Sequence, residues 1–328
     1  MRKSPCCGAK IRRFGRRRRQ CRACLKTWSI RPKKRGRPSL RSDKRLIDRV
    51  LVARRSLTEL ARHRKLSRQA LSHRFLTELT RQSKIARSVT LGDGGCILIV
   101  DGLWFKFKRR PWVAYLMALR PVHSNRATFV SPVIREGRES ASGWQAALET
   151  IPADVRNGVR AFVVDDFTGC TTLARENKWI LQLCHFHMLA RLRARAGFRR
   201  PGGVSLALLR QQAYELVSQA LTSHDSERVL EIRSLLQERY IRSQLPWKYR
   251  NMLRQFTKRI DEYRAYRLHP QLLLPRTTGT VESMNRILRD LLRRTRSLST
   301  PRAVQLWLEN YLRLRPTITC NPANLSTD

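Results

Sequence analysis

The sequence predicts an α/β fold with a mixed sheet, preceded by a small basic region and interrupted late by a purely helical stretch. Three observations predict it. Residues 1–90 hold 30 of the 68 Lys and Arg but only 4 of the 24 acids, a net +26 against +18 for the rest. From residue 93, short apolar runs alternate first with turns and then with helical patterns. Between 188 and 278 the strand signals disappear and helical stripes replace them.

The chain has 328 residues, 41% of them hydrophobic, enough for a sizeable core and for two or three domains. Its formal net charge of +44 bounds function more tightly. So basic a chain repels itself unless it meets a polyanion, usually nucleic acid. No apolar run approaches the roughly 18 residues of a membrane span, and no signal peptide is visible. The expected location is therefore cytoplasmic and nucleoid-associated, with no membrane partner. Eight cysteines in so long a chain, several in apolar contexts, suit reduced thiols and a metal site better than a disulfide framework.

Residues 1–31 predict a zinc-ribbon-like segment. Cys21-Arg22-Ala23-Cys24 has the spacing that holds one side of a tetrahedral zinc, and Trp28 suits a very small core. Cys6 and Cys7 are the other ligand candidates. A regular partner knuckle needs Cys at 4 and 7, but position 4 is Ser, so either Cys6 substitutes or the site is impaired. Residues 32–41 contain Arg35-Gly36-Arg37-Pro38, which resembles an AT-hook core suited to a narrow minor groove; a plain basic linker accounts for it equally well.

Residues 42–90 predict a helix-turn-helix. Leu46, Ile47, Val50, Leu51 and Ala53 form one apolar stripe. Ser56 and Glu59 form a capping box, and Ser67 caps a third helix running through Phe75. Leu57, Leu60, Ala61, Leu66, Ala70 and Leu71 are spaced as a core. Arg68, Gln69, Ser72, His73 and Arg74 then face a major groove. A three-helix bundle with a solvated basic face has the same pattern.

Residues 91–187 carry the sheet. Cys96–Val100 reads as a buried strand ending in Asp101-Gly102; Trp112–Leu119 and Ala127–Ile134 follow as strands, and Ser142–Thr150 as a helix. Val159–Val164 is a strand ending in Asp165-Asp166. Thr171–Asn177 is a helix and Trp179–Cys184 a fifth strand. Three strands, helix, strand, helix, strand is the order of a ribonuclease-H-like fold. Two strands that each run into Asp are the chemical signal. Ionised carboxylates beside such apolar runs are costly without a compensating cation, and paired strand-end acids favour Mg²⁺. Singly, each Asp reads as a turn former.

Residues 188–278 predict an all-helical insertion, with stripes at Leu206, Leu209, Ala213, Leu216, Val217 and Ala220 and at Val229, Ile232 and Leu236. Its basic excess suits either DNA contact or a solvated face. Residues 279–316 return to the sheet domain, and 317–328 form a tail. In Thr277–Arg286 and the helix that follows, Glu282, Asn285, Arg286, Arg289 and Arg293 share one face. Alone, Glu282 reads as an intrahelical ion-pair partner.

Together these segments resemble the Mutator-type DDE transposases of bacterial insertion sequences. "IVDGLWFK" is similar to the first-strand motif and implies Asp101 as the first catalytic acid. "FVVDDFTGC" resembles the second motif, an Asp followed four residues later by Gly, and implies Asp165 rather than Asp166. "LCHFH" resembles a C/D-x-x-H signature and makes Cys184 and His187 active-site neighbours. A satisfied core Cys and His is the alternative, and a zinc site there lacks a second ligand pair. "TTGTVESMNR" implies Glu282 as the last acid, with Asn285 and Arg286 beside it. The likeness covers roughly 95–315, with the helical insertion placed before the last acid. The ribbon and helix-turn-helix resemble the DNA-binding ends of such proteins.

The resemblance implies Mg²⁺-dependent cutting of element ends and joining of the freed 3′-hydroxyl to target DNA. It implies two ions about 4 Å apart, Mn²⁺ being a possible substitute, held by Asp101, Asp165 and Glu282. The partners implied are double-stranded terminal inverted repeats and target DNA, bound by a homodimer or higher oligomer. Two other readings compete: a regulatory DNA-binding remnant of a transposase, and a ribonuclease-H-like nuclease without strand transfer. An RNA-binding protein fits the charge but leaves the three acids unexplained.

Overall fold

Residues 4, 6–14, 18–29, 45–85, 94–196, 203–294 and 300–320 are described by the computed structural model. The basic linker, with Arg35 and Arg37, lies outside them. The chain divides into two units, Met1–Glu78 and Leu79–Asp328.

In the first unit, β1 (Ile11–Arg13), β2 (Arg18–Cys21) and β3 (Thr27–Ser29) pair antiparallel in that order. A π-helical turn (Asp48–Val52), α1 (Leu57–His63) and α2 (Arg68–Ser83) follow. Both serine caps form: Ser56 Oγ accepts from the Glu59 amide and Ser67 Oγ from the Ala70 amide, each at 3.1 Å. Leu46, Ile47, Val50, Leu51, Leu57, Leu60, Ala61, Leu71 and Phe75 are buried. Three expected core residues are not: Leu66, between α1 and α2, is half-buried, and two alanines are exposed. Ala53 is exposed because it is the C-cap of the π-helical turn, beyond its last buried residue. Ala70 is exposed because the buried stripe of α2 is Leu71, Phe75 and Leu79, one face at a spacing of four. That stripe also carries α2 past Phe75, so the division into units falls inside the helix rather than near residue 90.

The second unit is a mixed α/β body. β4 (Cys96–Phe107), β5 (Arg110–Pro121), β6 (Arg126–Phe129) and β7 (Val133–Glu136) precede α3 (Ala141–Leu148), α4 (Ala153–Asn157) and β8 (Val159–Val164). Next come α5 (Cys170–Glu176), β9 (Ile180–Leu183) and α6 (His185–Ala196). The sheet order is β10-β6-β5-β4-β8-β9, where β10 is Thr317–Thr319, with β7 pairing β5; β4 to β6 are antiparallel, and β8 and β9 run parallel to β4.

Three strand expectations are corrected. β4 does not end at Asp101: it runs on to Phe107, paired residue for residue with β5 through a two-residue turn at Lys108 and Arg109, both at positive φ. What ends near Asp101 is its pairing with β8, last registered at Ile99 opposite Val163. Residues 127–134 are two strands, because Pro132 lacks an amide donor and the chain changes partners' register along β5 there. Thr317–Thr319 is not tail but β10, antiparallel to β6, as its β-branched residues favour. Residues 321–328 lie outside the described residues.

Cys96, Leu98, Val100, Phe162 and Val164 join the core beneath α3 and α5. Alternation turns Ile97, Ile99 and Val163 to the opposite face, also fully buried. The described residues from 203 to 272 hold helices and no strand: α7 (Gly203–Thr222), α8 (Ser226–Leu235), a π-helical turn (Leu236–Tyr240), α9 (Trp247–Lys258), α10 (Ile260–Tyr263), α11 (Ala265–Leu268) and a 3-10 turn. Their apolar stripes are buried at Ala213, Val217, Ala220, Val229, Ile232 and Leu236. The stretch is tied to the sheet by Gln182, fully buried on β9, which donates to the Tyr263 carbonyl and accepts from the Tyr266 amide, each at 2.8 Å. The chain then returns through α12 (Gly279–Arg294), against β4, and α13 (Pro301–Leu314). Asn310 and Arg313 of α13 hold the carbonyls of Leu79, Ser83 and Ile85. Among the described residues no helix is long and apolar enough to cross a membrane.

Candidate functional site

Sheet register brings the two aspartates together. Asp101 stands two residues beyond Ile99 and Asp165 two beyond Val163, so they are level on neighbouring parallel strands and on the face that α12 covers. Glu282, in the first turn of α12, completes the group. A cavity of about 340 Å³ is lined by Asp101, Asp165 and Glu282, and also by Gly102, Trp104, Glu139, His187, Asn285 and Arg289.

His187 sits between the acids. Its Nε2 is 3.9 Å from Asp165 Oδ2 and its Nδ1 is 3.3 Å from Glu282 Oε1. Burial pulls its pKa down, but the Cys184 sulfur, Asp165 and Glu282 outweigh this and raise it from 6.5 to about 9. The imidazole is therefore a cation at neutral pH, the local counter-charge to the acids. His187 stands in the first turn of α6, just past β9. Thr278 ties these parts together: its hydroxyl donates to Glu282 Oε1 at 2.7 Å, and its amide is 3.4 Å from Cys184 Sγ. Cys184, His187 and Glu282 lie close enough to hold a metal ion.

Asp101 is the most strained acid electrostatically. Burial raises its pKa from 3.8 to about 7; the His187 charge lowers it and Glu282 raises it again. Asn285 donates to Asp101 Oδ2, while its own Oδ1 is buried without a partner. Arg286 is exposed and outside the cavity lining; Arg289, one turn from Asn285, occupies the position expected for it.

The two adjacent aspartates differ in their partners. Asp166 is bound by Arg259 and, at 3.0 Å, by Arg191, while Arg259 also reaches Glu262 and Thr171. Asp166 is thus committed to an ion-pair network anchoring the helical stretch, and Asp165 alone faces the cavity. Gly169 makes this turn possible. It has φ +100°, and a Cβ there would stand 2.6 Å from Ala141 Cβ. Gly169→Ala is expected to destabilise the chain by about 1–3 kcal/mol, read as a lower urea midpoint; an unchanged midpoint refutes this account.

Glu139 is a fourth acid that sequence reasoning missed. It lies in the loop before α3, where no periodicity marks it. The buried Trp144 donates its indole N–H to Glu139 Oε1 at 2.8 Å, and burial raises the Glu139 pKa, with Asp165 adding to it. Trp144 is itself wedged edge-on to Tyr115 and stacked on Phe167, next to the aspartate pair. A tryptophan five residues after an acid was the one available signal.

The N-terminal thiols form a separate cluster. Cys6 Sγ is 3.2 Å from Cys24 Sγ and Cys7 Sγ 3.2 Å from Cys21 Sγ; the Cys6–Cys7 and Cys7–Cys24 pairs are 3.9 and 3.8 Å apart. Sulfurs about 2.3 Å from a tetrahedral zinc stand about 3.8 Å from each other. The four cysteines can hold a metal ion and are compatible with zinc. Ser4 is buried beside them, its hydroxyl 3.4 Å from Cys6 Sγ and 3.6 Å from Cys7 Sγ. Cys6 thus takes the place that a Cys at position 4 was expected to fill. The Ser4 hydroxyl is also the leading cause that lowers the Cys21 thiol from 9.0 to about 5. On α2, Arg68, Gln69, His73 and Arg74 are all exposed, and Ser72 is half-buried.

No protein-family model matches the chain, and no curated protein matches it significantly.

Proposed function

We propose that this chain is a DNA transposase of the DDE type, built on a ribonuclease-H-like domain, that cuts element ends and joins them to target DNA. The observation that carries the reading is the convergence of Asp101, Asp165 and Glu282, from three distant segments, on one cavity of a +44 chain. The strand order supports the fold assignment: three consecutive antiparallel strands, then two parallel strands on the other flank of the first.

The residues suit Mg²⁺. The donors are carboxylates, a buried amide oxygen of Asn285 lacks a partner, and the four acids lining the cavity outnumber its two cations, His187 and Arg289. Asp101, Asp165 and Glu282 would hold the metal, which when bound polarises the scissile phosphate and the attacking oxygen. The chain's own groups do the rest. Asn285 orients Asp101, Thr278 orients Glu282, and protonated His187 holds Asp165 and Glu282 apart from mutual repulsion. Arg289, at the cavity wall, is placed to neutralise a non-bridging phosphate oxygen. Water is the first nucleophile and the freed 3′-hydroxyl the second; both are in-line displacements, so one site serves both. The exposed face of α2 and the thiol-bearing segment supply DNA grip.

The test is cleavage of DNA flanking the coding region by the purified full chain. Mg²⁺-dependent nicking and joining of pre-cut ends are expected. Asp165→Asn and Glu282→Gln should lose both yet still bind DNA. Nicking without joining would leave a nuclease, binding without nicking a regulator, and undiminished cutting by Asp165→Asn would overturn the site.

A further inference from the structure

A second, larger concavity of about 710 Å³ adjoins the acid cavity and shares Trp104 and Arg289 with it. It runs along the outer half of β4, past the point where β8 stops pairing, towards the last turns of α12. Its cations are Lys106, Lys108, Arg289 and Arg293, and among the described residues no carboxylate lines it. Arg293 has a 4.0 Å contact to Asp290, but both side chains are largely in water, so the pair holds it weakly. Trp104 lines both cavities and is 43% exposed. Glu139 lines the acid cavity beside it, and the indole helps to lower the Glu139 pKa against the effect of burial.

We infer that this groove is a binding site for unpaired nucleic acid, taking the single strand that leads away from the acid cavity, with a base stacked on Trp104. The inference rests on the reading of the acid cavity as a phosphodiester site. A cation row with an aromatic platform is the chemistry of single-strand binding. Phosphates track the positive side chains, and any base has a π-face to lay on the ring. A paired duplex hides those faces and makes no use of Trp104. The shared residues fix the register: with a scissile phosphate among the acids, the adjoining nucleotide is the one that reaches Trp104.

The experiment uses the full chain and a DNA duplex with a single-stranded thymidine tail carrying 5-iododeoxyuridine at successive positions. Excess blunt duplex is present to occupy the basic N-terminal region. Irradiation is expected to crosslink the tail to the peptide bearing Trp104. Trp104→Ala should lose the crosslink and weaken tail-dependent binding by about 5- to 150-fold, the worth of one stacked base. Trp104→Phe, which keeps a ring, should recover most of the affinity and guards against a folding defect. Crosslinks confined to other peptides, or equal binding of tailed and blunt duplexes, overturn the groove. If the wild-type chain meanwhile cuts DNA with Mg²⁺, the transposase reading survives that failure. A Trp104 crosslink in a chain that never cuts supports the groove and sinks the transposase reading instead.

Discussion

Asp101→Asn is expected to abolish cleavage and, at pH 8, to make the chain more stable. The loss of activity follows from removing a charge that stabilises the reacting phosphoryl group, worth at least about 1,000-fold in rate. The gain in stability follows from the pKa. Asp101 holds its proton in the folded chain up to about pH 7, against 3.8 in the open. A raised carboxyl pKa means that the folded state loses stability as pH rises from about 4 to about 7, and carries the whole cost above that. Ionised Asp101 then costs up to about 4 kcal/mol, less whatever His187 and solvent in the cavity recover. Asn is neutral at every pH and can still accept from Asn285. Thermal unfolding should therefore show the variant melting about 5 °C higher at pH 8, with the difference closing towards pH 5. Added Mg²⁺ should raise the melting temperature of the wild-type chain more than that of the variant. A variant less stable than wild type at pH 8 would show that Asp101 is a structural acid. Wild-type cutting by the variant would remove it from the site altogether.

His187 has the opposite sign. Its pKa is raised from 6.5 to about 9, so its ion pairs stabilise the folded chain fully below about 6.5, and the contribution is lost as pH rises through 9. The His187 imidazolium thus offsets part of the acids' charge at neutral pH, alongside Arg289 at the cavity wall, and above about 9 the acids lose it. A bound divalent cation would serve the same purpose more strongly, which links the metal to stability as well as to chemistry.

Two of the acids lining the cavity were legible because each follows an apolar run. Runs such as Ile97–Val100 and Ala161–Val164 announce buried parallel strands, and an Asp directly after each is informative. Register, however, is not written in either strand alone. That Asp101 lies mid-strand, at the place where one neighbour stops, depends on the β4–β5 hairpin continuing past β8. Glu282 could be placed on a helix face but not against Asp101, since that needs the helical stretch to fold back through Gln182 and Tyr263. Glu139 was illegible for the same reason in stronger form: a loop acid becomes a site residue only through a tryptophan that the core positions. Pro132 was the opposite case, a break plainly present in the sequence and read through.

The full chain as purified is expected to carry about one zinc, the stoichiometry of a closed four-sulfur site, and Cys6→Ser is expected to remove it. The second half of that prediction separates two ligand sets. If the spacing of a regular knuckle governed the site, position 4 would matter and Cys6 would not. The geometry says the reverse: Cys6 Sγ lies 3.2 Å from Cys24 Sγ, while Ser4 stays a buried neighbour hydrogen-bonded to Cys6 and Cys7. Ser4→Ala should then keep the zinc but release it at a higher pH than wild type, because the Cys21 thiol loses the hydroxyl that holds it near 5. A sheet of three strands totalling ten residues cannot bury enough apolar surface to stand alone. Metal removal should therefore cost the amides of β1, β2 and β3 their protection from hydrogen exchange, while those of β4 and β8 keep theirs. Zinc retained by Cys6→Ser would move the metal to another ligand set, with Cys184, His187 and Glu282 the next cluster to test. Protection of β1 to β3 that survives chelation would show that the segment folds by other means.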